Sequence, residues 1–180
     1  MPLFEEFPDW KPVSRLAGIS WLVFYLLFLL YAAADHSGFL VIDYANLIIH
    51  EGGHMVFAPF GYTITILGGT LGELIVPFLC FCYFWWNRET TAVAFCSFWF
   101  FENFLYIGAY MSDARTSAMP LVGSEESDWT ILFTQWHVLA RDQQIGHTMR
   151  DLGFLGMLAA LSWLSYRIYS DAQPKSHALS

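Results

Sequence analysis

From Leu16 to Tyr169 the chain repeats one pattern, apolar runs of about 20 residues broken by short polar stretches. A run of that length, wound as a helix, matches the roughly 30 Å hydrocarbon core of a bilayer. The runs cover Leu16–Ala34, Phe39–Phe60, Leu67–Trp86, Thr91–Met111 and Leu152–Tyr169. A shorter stretch, "WTILFTQWHVLARD", predicts an amphipathic or buried helix that does not span. The expected fold is therefore all-α and multi-pass in the membrane, a bundle of five to six helices.

Composition agrees. Charged residues make up 13% of the 180, about half the share in soluble domains. Aromatic residues reach 19%, with 8 Trp and 17 Phe, as lipid-facing helices and interfacial belts require. Net charge is -8 and no basic patch exists, which excludes nucleic acid as a partner. Cys80, Cys82 and Cys96 all fall in apolar runs and read as core thiols.

Residues 1–15 are Pro-broken and mixed in charge, an interfacial lead-in. Residues 16–170 form a single transmembrane domain, and 171–180 a flexible tail. Ala32, Ala33 and Ala34 resemble a signal-peptidase site, but the preceding apolar core is too long for a signal peptide and predicts a retained anchor. "GYTITILGGTLG" alternates Thr and Ile before its glycines and predicts a short re-entrant or β-like connection after the second span. Gly68 and Gly72 have the small-xxx-small spacing that lets helices approach closely. Lys11 and Arg15 favour an inside N-terminus. Five crossings would then put Arg115, Arg141 and Arg150 inside, and Arg88, Arg167 and Lys175 outside.

The second run carries "HEGGH", placing His50, Glu51 and His54 where ionisable groups are costly and mark function. Residues i and i+4 share a helix face, so both imidazoles can hold one Zn²⁺. Glu51 lies beside the metal without ligating it, placed as general base. Gly52 and Gly53 each cost about 1 kcal/mol against Ala but leave a bare flank for a substrate backbone or a second helix. Asp43, Asn46, His50 and His54 fall within an arc of about 80°. On the fourth run Glu102, Asn103, Tyr106, Tyr110 and Asp113 form a second polar stripe, which must face protein or water. The histidine helix is the surface expected opposite it. Lone His137 and His147 read as structural or interfacial.

A HExxH helix as second span, followed two spans later by an Asn and then an Asp, resembles the site-2 protease family of intramembrane zinc metalloproteases. The resemblance implies Asp113 as third zinc ligand and Asn103 as a substrate-positioning amide. The Pro after the Asn and the Gly after the Asp that the family usually carries are absent, marking a divergent relative. Zinc accepts any carboxylate that reaches it, so Asp128, Glu102 and Glu73 stay open as alternatives to Asp113. Glu73 lies 19 residues after His54, near the interval at which thermolysin-like soluble zincins recruit a Glu. Its connecting segment does not predict the helix–turn–helix this needs, so coincidence is the expectation.

The expected activity is hydrolysis of peptide bonds in membrane-associated substrates, Glu51 moving the proton. Substrate would lie along residues 62–66 by strand addition, under a lid formed by residues 112–130. The other readings are a membrane zinc hydrolase acting on a lipid amide or ester, and a metal-binding or transport protein.

Overall fold

The computed structural model describes residues 9–120 and 126–173, and those residues form helices without strands. The helices are α1 (Arg15–Ala34), α2 (Asp43–Phe57), α3 (Tyr62–Trp86), α4 (Thr90–Ser112), α5 (Asp128–Gln135) and α6 (Asp142–Ala172). Single 3₁₀ turns at Ala58–Phe60 and Leu139–Arg141 join α2 to α3 and lead into α6. α1, α3 and α4 are long and apolar enough to cross a membrane. Most of the lead-in, residues 1–8, and the tail from 174 lie outside the described residues, as does 121–125 of the expected lid.

The second run departs from expectation. Its helix has 15 residues, about 22 Å, and falls short of a full crossing. Residues 35–42 before it fold back along α4. Phe39 stacks edge-on against Tyr106, with ring centroids 5.5 Å apart, and Gly38, at φ +74°, leaves no room for a side chain beside Ala109. The expected β-like connection is likewise absent. Gly61, at φ +96°, turns the chain, and residues 62–72 continue directly as α3. Burial of Ile66, Gly68, Gly69, Thr70 and Gly72 on one side of this segment follows a helical period, which overrides the local Thr/Ile alternation. With residues 62–66 helical, no strand edge is offered to a substrate there.

Glycines set the helix crossings. A Cβ on Gly53 would sit 2.2 Å from the Gly68 carbonyl oxygen, and one on Gly72 3.0 Å from that of Ile49. α2 and α3 thus pack backbone to backbone as an antiparallel pair, as the Gly68–Gly72 spacing allows. α4 and α6 repeat the device through Gly108 and Gly146, where a Cβ on either would lie within 2.5 Å of the other's carbonyl oxygen. Tyr25, Phe98, Leu105, Met157 and Leu164 fill the core between α1, α4 and α6. A second core of Ile107, Met111, Trp129, Leu132 and Phe133 seats α5.

α3 contains Pro77. Proline has no N–H, so the carbonyl of Glu73, four residues earlier, loses its helical partner. The Asn103 side-chain amide on α4 donates to that oxygen at 2.8 Å. Asn103 is fully buried, and this bond accounts for a polar residue inside the helix bundle. Asn103→Ala should destabilise the fold by about 1–3 kcal/mol, the cost of leaving a buried carbonyl unsatisfied. Thermal unfolding in detergent measures it, and Pro77→Ala in the same chain should restore most of the loss.

Four chain ends meet at one pole. The Trp10 ring lies 5.0 Å from Trp85 and 5.3 Å from Trp163, with the Arg88 and Arg167 guanidiniums 5.1 and 5.5 Å from its centre. Lys11 N–H donates to the Arg88 carbonyl at 2.9 Å, and Val13 N–H to Asp171 at 3.1 Å. Arg88 and Arg167 therefore share an end with Lys11 and Arg15, contrary to the expected five-crossing arrangement. α6, which contains the expected last span Leu152–Tyr169, is not among the helices apolar enough to cross, so among the described residues three candidates stand where five were expected. At the opposite pole Asp142 accepts two bonds from Arg115, at 2.8 and 2.7 Å, which hold its carboxyl below the ordinary carboxylate range.

Candidate metal centre

The two stripes expected to face each other do so in part, through Glu102, Tyr106 and Tyr110 but not through Asn103, which turns to α3, or Asp113, which leaves the helix. Asn46 on α2 donates from Nδ2 to Asp43 at 3.1 Å and to Glu102 on α4 at 3.2 Å, while its Oδ1 accepts from the Trp99 indole at 2.8 Å. The indole only donates, which fixes the orientation of the amide. One turn further along α2, His50 is buried and His54 partly so.

Both imidazoles point Nε2 at the same atom. Asp128 Oδ2 lies 3.0 Å from His50 Nε2 and 3.2 Å from His54 Nε2. The ligand atoms of the three residues all fall within 4.8 Å of one another. Zinc bonds of about 2.0–2.2 Å in a tetrahedron put ligand atoms roughly 3.3 Å apart, so the trio has the right scale. Burial pushes the Asp128 carboxyl up, but hydrogen bonds with the two imidazoles outweigh it and hold the group below its ordinary value. It stays anionic.

The far ring nitrogens show why a cation fits. His54 Nδ1 lies 2.8 Å from the Thr65 carbonyl oxygen, an acceptor that demands N–H at that position. His50 Nδ1 lies 3.3 Å from Glu73 Oε2, again an acceptor when ionised. Burial lowers the His50 pKa, but its hydrogen bonds to Asp128 and Glu73 outweigh this and raise it to about 10. Each ring thus carries a proton on Nε2 toward the carboxylate. Were both rings neutral with N–H at Nδ1, two Nε2 lone pairs would face it instead. Acceptors would then face an acceptor unless two protons or one divalent cation lie between them. Protein carboxylates and carbonyls take this same outer position behind zinc-bound histidines.

Gly69 allows the rings to sit there. A Cβ at that position would lie 2.4 Å from His50 Nε2. The α2–α3 turn brings Gly69 and Glu73 back beside His50, an approach not expected of this segment. Glu73 meets the outer nitrogen of His50 and lies outside the ligand trio. Glu73→Gln should weaken zinc binding about 10- to 100-fold while leaving one zinc per chain at saturation, measured by competition with a chromophoric chelator.

Asp128 takes the place that the resemblance assigned to Asp113. α4 ends at Ser112, and Asp113 turns into the following loop, where its carboxylate accepts from the N–H of Ala118 at 3.0 Å and Met119 at 2.8 Å and from the Thr116 hydroxyl. Asp128 opens α5, whose Trp129, Leu132 and Phe133 are buried. Its own N–H donates to the Tyr110 hydroxyl oxygen at 3.2 Å. Asn103 is spent on the Glu73 carbonyl and does not line the cavity beside the metal centre. Glu102 is bonded to Asn46, and His137 and His147 are exposed.

That cavity, about 900 Å³, is walled by His50, His54, Asp128, Glu51, Leu47, Tyr44, Phe39, Tyr106, Tyr110 and Met119 among others. Glu51 thus lines the same cavity as the trio without belonging to it. Comparison with known proteins finds no matching family model, no matching curated protein and no matching solved structure for this chain.

Proposed function

We propose that this chain is a multi-pass integral membrane zinc metallopeptidase, a divergent relative of the site-2 protease family, acting on membrane-associated protein or peptide substrates. The observation that carries the reading is the convergence of His50 and His54 Nε2 on Asp128, with His54 Nδ1 bonded to the Thr65 carbonyl and His50 Nδ1 3.3 Å from Glu73. Glu51 on the cavity wall separates a hydrolase from a storage or transport site, which has no use for a carboxylate that does not ligate. Membrane integration is supported by the outward faces. Leu16 is 78% exposed, Ile48 76%, Met55 77% and Leu155 63%, a surface that water disfavours and lipid does not.

Zinc in the trio would lower the pKa of a water to about 7 and polarise the scissile carbonyl. Glu51 accepts the proton released by that water and passes it to the leaving amine. Asp128 and the two imidazoles keep their orientation through Tyr110, Thr65 and Glu73. Phe39, Tyr44 and Leu47 supply an apolar wall for the side chains, or an acyl chain, flanking the bond. That wall also suits a lipid amide or ester, which is the second reading.

Glu51→Gln tests both at once. Zinc content should stay at one per chain, while cleavage of a reconstituted single-pass reporter protein falls about 10²- to 10⁴-fold. Unchanged cleavage would remove Glu51 as base. Hydrolysis of a fluorogenic acyl amide in place of the reporter would favour the lipid reading.

A further inference from the structure

A row of aromatic rings leads to the metal centre. Tyr44 meets Phe39 edge-on, with ring centroids 5.0 Å apart, and Phe39 meets Tyr106 edge-on at 5.5 Å. Tyr106 stacks on Tyr110 at 5.9 Å, and Tyr110 lies 6.2 Å from the His50 ring. All five residues line the cavity. Exposure falls along the row, from 69% at Tyr44 to 7% at Tyr106 and 8% at Tyr110. One end is therefore open, and the other stops beside a member of the trio.

Three segments hold the row together. Tyr44 belongs to α2, and Tyr106 and Tyr110, four residues apart, share a face of α4. Phe39 bridges them from residues 35–42. Its approach is set by Asp35, whose carboxylate accepts from the Ser37 hydroxyl and the Gly38 N–H, each at 2.8 Å. Leu47, Met119 and Pro120 add apolar surface to the same cavity. Its acidic lining residues are Glu51 and Asp128, and no Lys or Arg stands among the described residues of the wall. Along the row an anionic side chain finds no counter-charge, whereas an aromatic ring finds both edge and face partners.

We propose that Tyr110, Tyr106, Phe39 and Tyr44 form a subsite that binds an extended peptide by large apolar side chains, aromatic above aliphatic, at two alternate positions on one side of the scissile bond. This rests on the peptidase reading. Side chains at i and i+2 of an extended chain point the same way, about 6.6 Å apart. The steps of the row, 5.0–5.9 Å, are comparable. The inner side chain lies against Tyr106 and Tyr110, the outer one against Phe39 and Tyr44.

Binding is measured without cleavage on zinc-loaded Glu51→Gln, by anisotropy of short fluorescein-labelled peptides carrying Phe, Leu, Ala or Asp at each position in turn. Two positions at alternate spacing should prefer Phe over Ala by about tenfold or more in Kd, with Leu between and Asp weakest. In the same background Phe39→Leu should remove the preference for Phe over Leu at the outer position alone. Tyr44→Ala, which removes an exposed ring, should weaken that same position with zinc content unchanged. The wild-type chain should cut the peptides in the order in which Glu51→Gln binds them. Equal affinity across the series, no binding, a preference spaced three or four apart, or a Phe39→Leu effect at the inner position would overturn the proposal. If the wild-type chain cuts none of the peptides while Glu51→Gln shows the alternate preference, the subsite stands and the peptidase reading falls. If it cuts all of them at one rate, the subsite falls and the peptidase reading stands.

Discussion

Purified without chelator, the wild-type chain should carry about one zinc, and His50→Ala, His54→Ala or Asp128→Ala should each carry almost none. The effect is large because the trio has no spare donor. Among the described residues it is the group that brings three metal-binding side chains within 4.8 Å. Removing one leaves two donors and a cavity open to water. Asp113→Ala is the discriminating partner. Its carboxylate is committed to the Ala118 and Met119 backbone, so that variant should keep its zinc and lose only loop stability. Elemental analysis beside a thermal melt separates the two. If Asp113→Ala emptied the site and Asp128→Ala did not, the ligand assignment would be reversed.

The second large effect distinguishes two adjacent glycines. Gly52→Ala should be neutral or stabilising by up to about 1 kcal/mol, because alanine is the better helix former and nothing lies within 4 Å of its Cβ. Gly53→Ala puts a methyl 2.2 Å from the Gly68 carbonyl and 3.1 Å from the Gly69 Cα. Neither neighbour is a side chain that can rotate away, so α2 and α3 must separate. That movement takes His50 from Glu73 and His54 from the Thr65 carbonyl. Expected results are a melting temperature lowered by 10 °C or more, corresponding to several kcal/mol, and zinc lost with it. A Gly53→Ala chain that melts and binds zinc like wild type would contradict the crossing geometry.

The local pattern of the sequence was enough for the histidine pair, the flanking carboxylate and the facing stripes, since each depends only on helical spacing within one element. Asp128 depends on where a short helix beyond the Asp113 turn comes to rest. No spacing rule encodes that. Its one local mark is an acidic residue opening a run with Trp129, Leu132 and Phe133 to bury. The approach of Glu73 to the outer nitrogen of His50 was hidden for a different reason. Alternating Thr and Ile read as extended chain, whereas burial of the glycine face against α2 decides the matter for helix. Asn103 shows how a motif residue can be claimed by the scaffold, because Pro77, 26 positions earlier in the chain, creates the vacancy it fills. The second run carried enough apolar length to span, but its first residues are spent lining α4 and leave a helix too short.

The Trp10 pole has a mechanical corollary. Rings from three segments, two guanidiniums and backbone bonds clamp the ends of α1, α3, α4 and α6 together there. The far half is fastened differently, by backbone contact at Gly53–Gly68 and Gly108–Gly146 and by the Arg115–Asp142 pair. The His50–His54–Asp128 trio sits most of a helix length away from the Trp10 pole. The geometry of the trio therefore depends on the glycine contacts beside it and not on the aromatic clamp at the distant pole.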